Sequence, residues 1–348
     1  GIAEFNRKCR ESVWQYKDDW EKLTERMGFW LDFKDPYITY ETDYIETLWW
    51  IIKEVAKKKL LYKGHKVLPW CTRCGTSLSS HELGQQGAYR EVVDNSVYVK
   101  FKLKPNNARR GVVQLGSHEF SNISILSWTT TPLTLPGNVA LAVGENIRYS
   151  VRHTGSEAFI MAEDSPLGRT FVGNIEETVR GKDLVGLEYE PLFDIPTLQN
   201  EKSHRIYAAD FVTTNEGTGV VHTAVMYGED DYQLGIKVGL PQHHTVDEIG
   251  KFTGEVSGLA GLYVKAKEAE EKIFKHLDKN GNLFKIEPYK HEYPHCWRCN
   301  TPLLYYARTS WFVAMTKIRA ALLKNNQDIN WIPEHIKTGR FGEWLREA

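Results

Sequence analysis

Residues 68–78 read LPWCTRCGTSL, and residues 293–303 read YPHCWRCNTPL. In both segments a proline lies two residues before a Cys-x-x-Cys pair, and an arginine, a threonine and a leucine follow at the same spacing. Two such pairs can supply the four thiolates of a tetrahedral zinc site. We therefore expect one structural Zn²⁺ bound by four side chains, those of Cys71, Cys74, Cys296 and Cys299.

The residue after each second cysteine supports a tight turn, because Gly75 and Asn300 are the two residue types that best tolerate a left-handed backbone. Disulfides are disfavoured by the cytosolic setting that we expect, and a thioredoxin-like redox motif is disfavoured because the pattern occurs twice. Should the two pairs not meet, the alternative ligands are His81, His291 and His295. The fifth cysteine, Cys9, has no such partner and is interpreted as a small buried hydrophobic residue.

The separation of the two cysteine pairs predicts an insertion. Residues 1–90 and 289–348 would form a zinc-ribbon and helical base, and residues 91–288 an inserted domain that is mostly β and barrel-like. The fold class is therefore α+β. Apolar periodicity predicts helices at 12–27, from Thr42 to Gly64, at 231–238, at 266–280 and at 315–325. It predicts strands at 97–103, 123–128, 139–143, 158–162, 206–212 and 219–224.

Composition excludes several classes of protein. With 41% hydrophobic and 26% charged residues, the chain of 348 residues has the balance of a globular protein. A net charge of −1 does not indicate a general nucleic-acid binder, and the lysine-rich run at 53–66 is interpreted as a solvated helix face. We find neither an apolar run of membrane-spanning length nor a secretory signal, so we expect a cytoplasmic protein without a membrane partner.

Residues 128–138 read WTTTPLTLPGN. Threonine is common in strands, and proline and glycine end them, so this stretch by itself predicts a strand that runs into a turn. Residues 217–232 read GTGVVHTAVMYGEDDY, which predicts a strand, then His222, then an acidic start to a helix. A helix N-terminus stabilises charged carboxylates, so Asp231 would suit an anchor for a cation better than a general base. Glu229 and Asp230 are assigned to the helix start.

The motifs together resemble isoleucyl-tRNA synthetase, specifically its connective-polypeptide region, which contains the editing domain. The resemblance extends through RMGFWLDFKDPYITY and YIETLWW before the insertion and WIPEHIKTGRFGEWL after it. Thr131 stands where the valyl and leucyl enzymes have arginine, which favours the isoleucyl branch. The HIGH and KMSKS motifs of the synthetic site are absent, so we expect a fragment in which ATP is not bound, ATP being used only by the parent enzyme.

The resemblance implies editing, the hydrolysis of valine wrongly attached to isoleucine tRNA. A pocket that accepts isoleucine discriminates poorly against valine, which is smaller by one methylene, and this pair is the usual example of that limit. No GxSxG elbow is present, so a positioned water without a covalent intermediate is expected. The partners would be the 3′ end of the mischarged tRNA, with valyl-adenylate as a second candidate substrate, and the rest of the synthetase body.

The family's residue roles carry over by position. Catalysis would involve Thr130, Thr131 and Asp231, with Asp231 paired to the α-ammonium of the substrate. Substrate binding would involve Trp128, Thr129, Thr134, Asn138 and His222, with His222 either bounding the side-chain pocket or contacting the terminal adenosine. Two residues depart from the family pattern, Leu133 in place of tryptophan and Val225 in place of proline. The alternatives are a zinc-ribbon tRNA-binding module without catalysis and an editing domain of valyl or leucyl type.

Overall fold

The structure, a computed structural model, describes residues 1–107 and 109–347. The chain divides into two compact units. One comprises Gly1–Lys63 and Trp311–Ala348, and the other comprises Gly64–Ser310. The predicted boundaries after residues 90 and 288 lie within two long strands, Tyr89–Lys102 and Leu283–Pro294.

Helices and strands are both abundant in the part of the chain that the structure describes. The helices are α1 (Ile2–Trp14), α2 (Lys17–Arg26), α3 (Thr42–Lys57), α4 (Ser80–Leu83), α5 (Pro166–Thr170), α6 (Gly181–Leu184), α7 (Glu229–Val238), α8 (Lys267–Lys279), α9 (Arg319–Gln327) and α10 (Arg340–Glu347). The strands are β1 (Leu61–Cys71), β2 (Thr76–Ser77), β3 (Tyr89–Lys102), β4 (Val113–Leu115), β5 (His118–Phe120), β6 (Ile123–Thr129), β7 (Ala140–Val143), β8 (Arg148–Thr154), β9 (Glu157–Ala162), β10 (Asn174–Arg180), β11 (Arg205–Ala208), β12 (Val220–Thr223), β13 (Leu283–Pro294) and β14 (Leu304–Val313).

The helix predictions near the N-terminus are partly wrong. The helix predicted at 12–27 is two helices, α1 and α2, because the backbone of Tyr16 leaves the helical region. Gly28, at φ +81, does end α2 in the left-handed conformation expected of it. The helix predicted from Thr42 to Gly64 begins correctly but ends at Lys57, since Lys59 adopts φ +55 and the chain continues as β1.

The remaining helix and strand predictions are confirmed within about four residues, except that the strand predicted at 97–103 begins eight residues earlier, at Tyr89. Helices α7, α8 and α9 correspond to the predictions at 231–238, 266–280 and 315–325. Each of the six predicted strands overlaps an observed one, from β3 through β12. The lysine side chains in 53–66 are all exposed, but they do not form one helix face, because α3 ends at Lys57 and both Lys63 and Lys66 belong to β1. Among the described helices, none combines the length and apolar character needed to cross a membrane.

The middle of the chain forms one large and one small sheet. The large sheet has six strands in the order β10-β8-β9-β6-β3-β13, and the small one has the order β11-β7-β12. Strands β3 and β13 pair antiparallel over their length, from Val99 opposite Leu283 to Tyr89 opposite Pro294. A second three-stranded sheet has the order β14-β1-β2, and β4 pairs with β5. The chain is therefore of mixed helix and sheet class, as expected.

The sheets do not close into the barrel that we expected. Between the large and small sheets there are isolated hydrogen bonds rather than a continuous ladder. Ser127 Oγ donates to Val220 O at 2.8 Å, and Ala162 N donates to Thr218 O at 2.9 Å. After β6 the chain turns into a 3₁₀ helix, Pro132–Gly137, which contains two prolines. Proline has no N–H to continue a ladder, so β6 cannot extend along the small sheet.

Buried side chains from both sheets bring the threonine-rich and histidine-bearing segments together. Tyr149 is fully buried, and its hydroxyl donates to Gly219 O at 2.7 Å. Tyr189 is also fully buried, and its hydroxyl donates to Asn138 Oδ1 at 2.7 Å. A buried hydroxyl that lost its partner would cost about 1–3 kcal/mol. These two tyrosines therefore hold residues 128–138 and 217–224 in fixed positions on one core.

Candidate hydrolytic site and metal centre

The two cysteine pairs meet in space. In each pair the turn is closed by a backbone bond, from Gly75 N to Cys71 O at 2.9 Å and from Asn300 N to Cys296 O at 2.8 Å. Gly75 and Asn300 have φ values of +63 and +62, which confirms the left-handed turns. Two similar local turns therefore bring four thiols to one point.

The four sulfur atoms have the spacing of a single metal site. Their Sγ atoms all lie within 4.8 Å of one another, with Cys71 and Cys299 at 3.4 Å and Cys74 and Cys296 at 4.0 Å. Tetrahedral Zn²⁺ with bonds of about 2.3 Å requires sulfurs about 3.8 Å apart. The cluster can therefore hold one metal ion, and two of its four members, Cys71 and Cys296, are buried.

The alternative ligands lie elsewhere. His291 Nε2 contacts Asp94 Oδ2 at 3.2 Å, and His295 Nδ1 contacts Tyr293 O at 2.9 Å. Neither histidine, nor His81, belongs to the metal-binding group found among the described residues. The interpretation of Cys9 as a buried residue is wrong, because it is exposed on α1. No residue of α1 is buried, so this helix has no packed face against which the Cys9 side chain could be buried.

The threonine-rich segment is a strand that runs into a turn, as its composition predicts. Strand β6 ends at Thr129, and Thr131 N donates to Thr129 Oγ1 at 3.0 Å. The Oγ1 atoms of these two threonines are 3.2 Å apart. Both the backbone N and the Oγ1 of Thr134 donate to Thr131 O, at 3.1 and 2.9 Å. Thr129, Thr131 and Thr134 therefore form one hydrogen-bonded group.

His222 joins this group from β12. Its Nε2 lies 2.9 Å from Thr134 Oγ1. The single hydroxyl proton of Thr134 is used on Thr131 O, so the bond to His222 is donated by Nε2–H. Nδ1 is then the unprotonated nitrogen, and it is buried without a hydrogen-bond partner among the described residues. His222 therefore offers one free acceptor at this site.

Burial keeps His222 neutral. The side chain is 8% exposed, and this desolvation lowers the pKa of His222 to about 4. At neutral pH the imidazole is uncharged, and its Nδ1 can accept a hydrogen bond from a ligand or a water molecule.

The pKa of Asp231 is raised, whereas we expected the helix start to stabilise its charged form and so to lower the pKa. Burial raises the pKa of Asp231 to about 7, against the opposing effect of the Ala224 N–H, which donates to Oδ2 at 2.9 Å. The neighbouring charge of Asp230 adds to the rise. Asp231 is in the first turn of α7, but its carboxylate is directed to the residue after β12. Desolvation therefore outweighs the helix dipole here.

The other predicted site residues line cavities or brace the turn. Trp128, Thr129 and Thr130 line a cavity of about 260 Å³ together with the Gly217–Val221 segment. Thr130 also borders a second cavity of about 190 Å³. Asn138 is buried and held at both ends of its amide, by Tyr189 and by Ala140 O. No hydrogen bond joins Asp231 to the threonines in the described part of the chain.

Sequence reasoning missed several charged residues of the second cavity, namely Asp94, Lys265 and Glu270. Each occurs in ordinary surface-like sequence with no motif, so no local signal marked them. The two departures from the family pattern are both buried. Leu133 lines the second cavity. Val225 packs so closely against Gly235 that a Cβ atom placed on Gly235 would lie 2.7 Å from the Val225 side chain. Both residues therefore shape the surroundings of the site.

Known proteins resemble this chain over its full length. Its 348 residues match the family described as tRNA synthetases class I (I, L, M and V). The isoleucine--tRNA ligase of Clostridium tetani is 45% identical over 351 residues, which cover 100% of this chain and 32% of that protein. The isoleucine--tRNA ligase of Thermus thermophilus is 45% identical over 349 residues, with coverages of 99% and 32%.

Among solved structures, the crystal structure of GlLeuRS-CP1 aligns with a TM-score of 0.41 and 14% identity, covering 55% of this chain and 99% of that one. The chain spans about a third of the length of the curated relatives that it matches. The family match nevertheless covers residues 1–348, so it includes every part of the chain that the structure describes. This chain belongs to the class I tRNA synthetases of the isoleucine, leucine, methionine and valine group, and its relatives named above are isoleucine--tRNA ligases.

Proposed function

We propose that this chain performs post-transfer editing, the hydrolysis of the ester that joins valine to isoleucine tRNA. The relatives named as isoleucine--tRNA ligases support the substrate class. The observation that carries the proposal is the bond between Thr134 and His222, because it unites the threonine-rich loop and the histidine strand in one polar site. That site has hydroxyls and a free acceptor, which can position a water molecule by hydrogen bonds.

The proposed reaction balances without a cofactor. A water oxygen bonds to the ester carbonyl carbon, the bond from that carbon to the ribose oxygen breaks, and the ribose oxygen takes a proton. Valine leaves with a carboxylate, having lost the second proton to solvent. Thr130 and Thr131 would orient the water and the carbonyl oxygen, since each hydroxyl can both donate and accept a hydrogen bond.

His222 would act as the size filter. It is buried, neutral and fixed by Thr134, so its ring cannot move aside cheaply for an extra methylene. Trp128, Thr129 and Asn138 would complete the walls that contact the ester and the terminal nucleoside. A small pocket of this kind completes the discrimination that an apolar synthetic pocket cannot reach alone.

Asp231 would bind the α-ammonium of the substrate. Its raised pKa reports a carboxylate that is desolvated and lacks a cationic partner. An ammonium group at hydrogen-bond distance would restore the charged form and lower that pKa. Asp231 would thus be ready to bind a cation, and binding would be favoured at pH values above about 7.

A covalent route has little support. The described chain contains one arrangement of serine, histidine and glutamate, formed by Ser117, His118 and Glu177. Ser117 Oγ and Glu177 Oε2 both contact the same nitrogen, His118 Nδ1, at 3.2 and 3.0 Å. A nucleophilic relay needs the two groups on opposite nitrogens of the ring. This cluster is a turn held by hydrogen bonds to Glu177, and the proposed nucleophile is therefore water.

The cysteine cluster would hold Zn²⁺ as a structural ion that joins the two ends of the inserted domain. The thiolates of Cys71, Cys74, Cys296 and Cys299 would be the ligands, and no step of the hydrolysis passes through the metal. We further propose the division at residues 90 and 288, with ATP used only by the synthetic site of a longer parent enzyme. Valyl-adenylate is a second candidate substrate.

The test is deacylation of valyl-tRNA and isoleucyl-tRNA by this chain, measured side by side. Clearance of valine with sparing of isoleucine supports the proposal. Binding of tRNA without deacylation would instead indicate a zinc-ribbon tRNA-binding module. Clearance of threonine from valine tRNA, or of isoleucine from leucine tRNA, would indicate an editing domain of valyl or leucyl type.

A further inference from the structure

Tyr227 is a buried residue that the proposed hydrolysis does not use. It lies between strand β12, which carries His222, and helix α7, which carries Asp231. Its side chain is 8% exposed. Within the described residues the Asp231 carboxylate makes no hydrogen bond to the threonine group, so another contact has to fix the separation between them. Tyr227 makes contacts on both sides of this gap.

The ring of Tyr227 packs directly on the threonine-bearing turn. Gly137 is the last residue of the 3₁₀ helix Pro132–Gly137, which contains Thr134. A Cβ atom on Gly137 would lie 3.0 Å from Tyr227 Cε2, whereas two carbon atoms in contact are normally about 3.5–4.0 Å apart. Glycine is therefore required here by the approach of the ring, and not by a left-handed backbone.

The hydroxyl of Tyr227 is fixed by the loop at residues 245–246. Thr245 N and Val246 N donate to it at 2.8 and 2.9 Å, which leaves its own proton for Thr245 Oγ1 at 3.0 Å. The loop is held in turn by Tyr306, whose hydroxyl donates to Val246 O at 2.9 Å. Burial raises the pKa of Tyr227 to about 12, so the hydroxyl keeps this proton at neutral pH. The ring is therefore clamped at its outer end.

The main chain of Tyr227 leads to the Asp231 carboxylate. Tyr227 N donates to Ala224 O at 2.9 Å, which closes the turn between β12 and α7. Ala224 N in turn donates to Asp231 Oδ2 at 2.9 Å. That oxygen would lie only 3.1 Å from a Cβ atom on Gly228, so the carboxylate packs closely against the turn. The position of the carboxylate therefore follows the position of the turn that Tyr227 ends.

The separation that Tyr227 spans matters for an aminoacyl ester. In such an ester the ammonium group and the carbonyl carbon are attached to the same α carbon, so their spacing is fixed. A carboxylate that binds the ammonium and hydroxyls that orient the carbonyl have to match that spacing. A misplacement of about 1 Å can lower a rate about 100-fold when catalysis depends on positioning.

We propose that Tyr227 is a positioning residue, which fixes the Asp231 carboxylate relative to the hydrogen-bonded group of threonines and His222. This role rests on the proposed editing function. Its physical basis is one rigid side chain, clamped at its hydroxyl, which packs on the threonine turn through its ring. The same residue continues into the Asp231 turn through its backbone. Tyr227 acts through Asp231 and is not itself a catalytic group.

The test compares two esters of isoleucine tRNA, one with valine and one with α-hydroxyisovaleric acid, in which a hydroxyl replaces the ammonium. Tyr227→Phe keeps the ring and removes the hydroxyl that accepts from Thr245 N and Val246 N. We expect kcat for the valyl ester to fall at least about tenfold and kcat for the hydroxy ester to change less than about twofold, because only the valyl ester uses Asp231. Equal losses with both esters, or a normal kcat with the valyl ester, would overturn the proposal.

Two further variants extend the comparison. Gly137→Ala places a methyl group between the turn and the ring, so it should lower kcat for the valyl ester selectively, and it decides the question if Tyr227→Phe does not fold. Tyr98→Phe is the control, because it also removes a buried tyrosine hydroxyl, one that donates to Glu287 Oε1 at 2.9 Å. It should leave the ratio of the two rates unchanged. A ratio altered as much by Tyr98→Phe as by Tyr227→Phe would show a general effect of stability and overturn the proposal.

Hydrogen exchange gives a readout that does not require activity. The Ala224 amide, which is bonded to Asp231 Oδ2, should exchange at least about tenfold faster in Tyr227→Phe than in the parent chain, and Tyr98→Phe should leave its rate unchanged. An unchanged rate in Tyr227→Phe would contradict the clamp. Faster exchange together with a parent chain that does not deacylate valyl-tRNA would refute only the editing proposal. Deacylation by the parent chain with no selective loss in Tyr227→Phe or Gly137→Ala would refute only the positioning role.

Discussion

His222 Nε2 and Thr134 Oγ1 are 2.9 Å apart, although 88 positions separate the two residues in the chain. This bond joins a strand of the small sheet to the turn that leaves the large sheet. It also fixes the tautomer of His222, because the Thr134 proton is already donated to Thr131 O. Size selection would therefore depend on the His222 ring, and water positioning would depend on the threonine hydroxyls to which that ring is bonded.

His222→Ala should allow isoleucine into the pocket. Removing a buried ring leaves space that an extra methylene can fill, so we expect the ratio of valyl- to isoleucyl-tRNA deacylation to fall by about tenfold or more. The measurement is the initial rate with each charged tRNA.

Thr134→Val is the matched control for His222→Ala, because it removes the hydroxyl bonded to His222 and keeps the ring in place. This variant should lose rate with both tRNAs while still preferring valine. If His222→Ala continues to spare isoleucyl-tRNA at a normal valine rate, the ring is not the size filter.

Asp231→Ala should abolish valyl-tRNA hydrolysis with little change in Tm. The carboxylate is proposed to bind the ammonium common to all aminoacyl esters, and truncating one partner of a buried charged pair costs about 2–5 kcal/mol. Glu229→Ala is the comparison, since Glu229 contacts only Gln233 on the same helix. Similar losses in the two variants, measured by deacylation and thermal melting together, would show that Asp231 has no special role.

The pH dependence of stability should identify the ionisation of Asp231. Its folded pKa of about 7 exceeds the ordinary 3.8, so the folded state binds the proton more tightly. The stability that Asp231 contributes is therefore complete below about pH 4 and is lost as pH rises through about 7. His222, with its pKa lowered to about 4, has the opposite dependence.

Asp231→Asn separates these two effects, since it leaves His222 in place. The unfolding free energy of the parent, measured by urea denaturation, should fall relative to that of Asp231→Asn as pH rises from about 4 to about 7. Asp230→Asn should move the midpoint of this shift to lower pH, because the Asp230 charge raises the pKa of Asp231. A pH-independent difference would contradict the burial of an ionisable carboxyl group.

Metal analysis of protein purified without chelator should give one zinc per chain. Cys74→Ser or Cys299→Ser should lose the metal and lower Tm, because three thiolates hold Zn²⁺ far less well than four. Cys9→Ser is the control, as Cys9 is exposed and outside the cluster. Two zincs per chain, or retention of the metal in both cluster variants, would refute a single shared site.

Lys59→Gly should stabilise the unit that contains α3. Lys59 is held at φ +55, where a residue with a side chain pays about 1–2 kcal/mol and glycine does not. Part of this gain is offset by the greater freedom of glycine in the unfolded chain, so the expected increase is about 0.5–1 kcal/mol in denaturant unfolding. Lys58→Gly, at φ −76, should instead leave stability unchanged or reduce it.

The metal cluster was predictable from the sequence because its constraints are local. A Cys-x-x-Cys turn brings two thiols together by itself, and the left-handed residues Gly75 and Asn300 are selected by that turn. The strand-to-turn character of 128–138 and the helix after Gly228 were predictable for the same reason, since each depends on the conformational preferences of neighbouring residues.

Only the tertiary structure decided the ionisation of Asp231, the openness of the sheets and the charged cavity around Lys265. The sequence predicted a stabilised charge at Asp231 because it shows the helix start, whereas desolvation is a sum over atoms from distant parts of the chain. Closure of a barrel likewise depends on hydrogen bonds between strands that no local pattern records. Asp94 and Lys265 meet across a cavity because the long β3–β13 pairing and α8 bring them there, which residue spacing alone cannot encode.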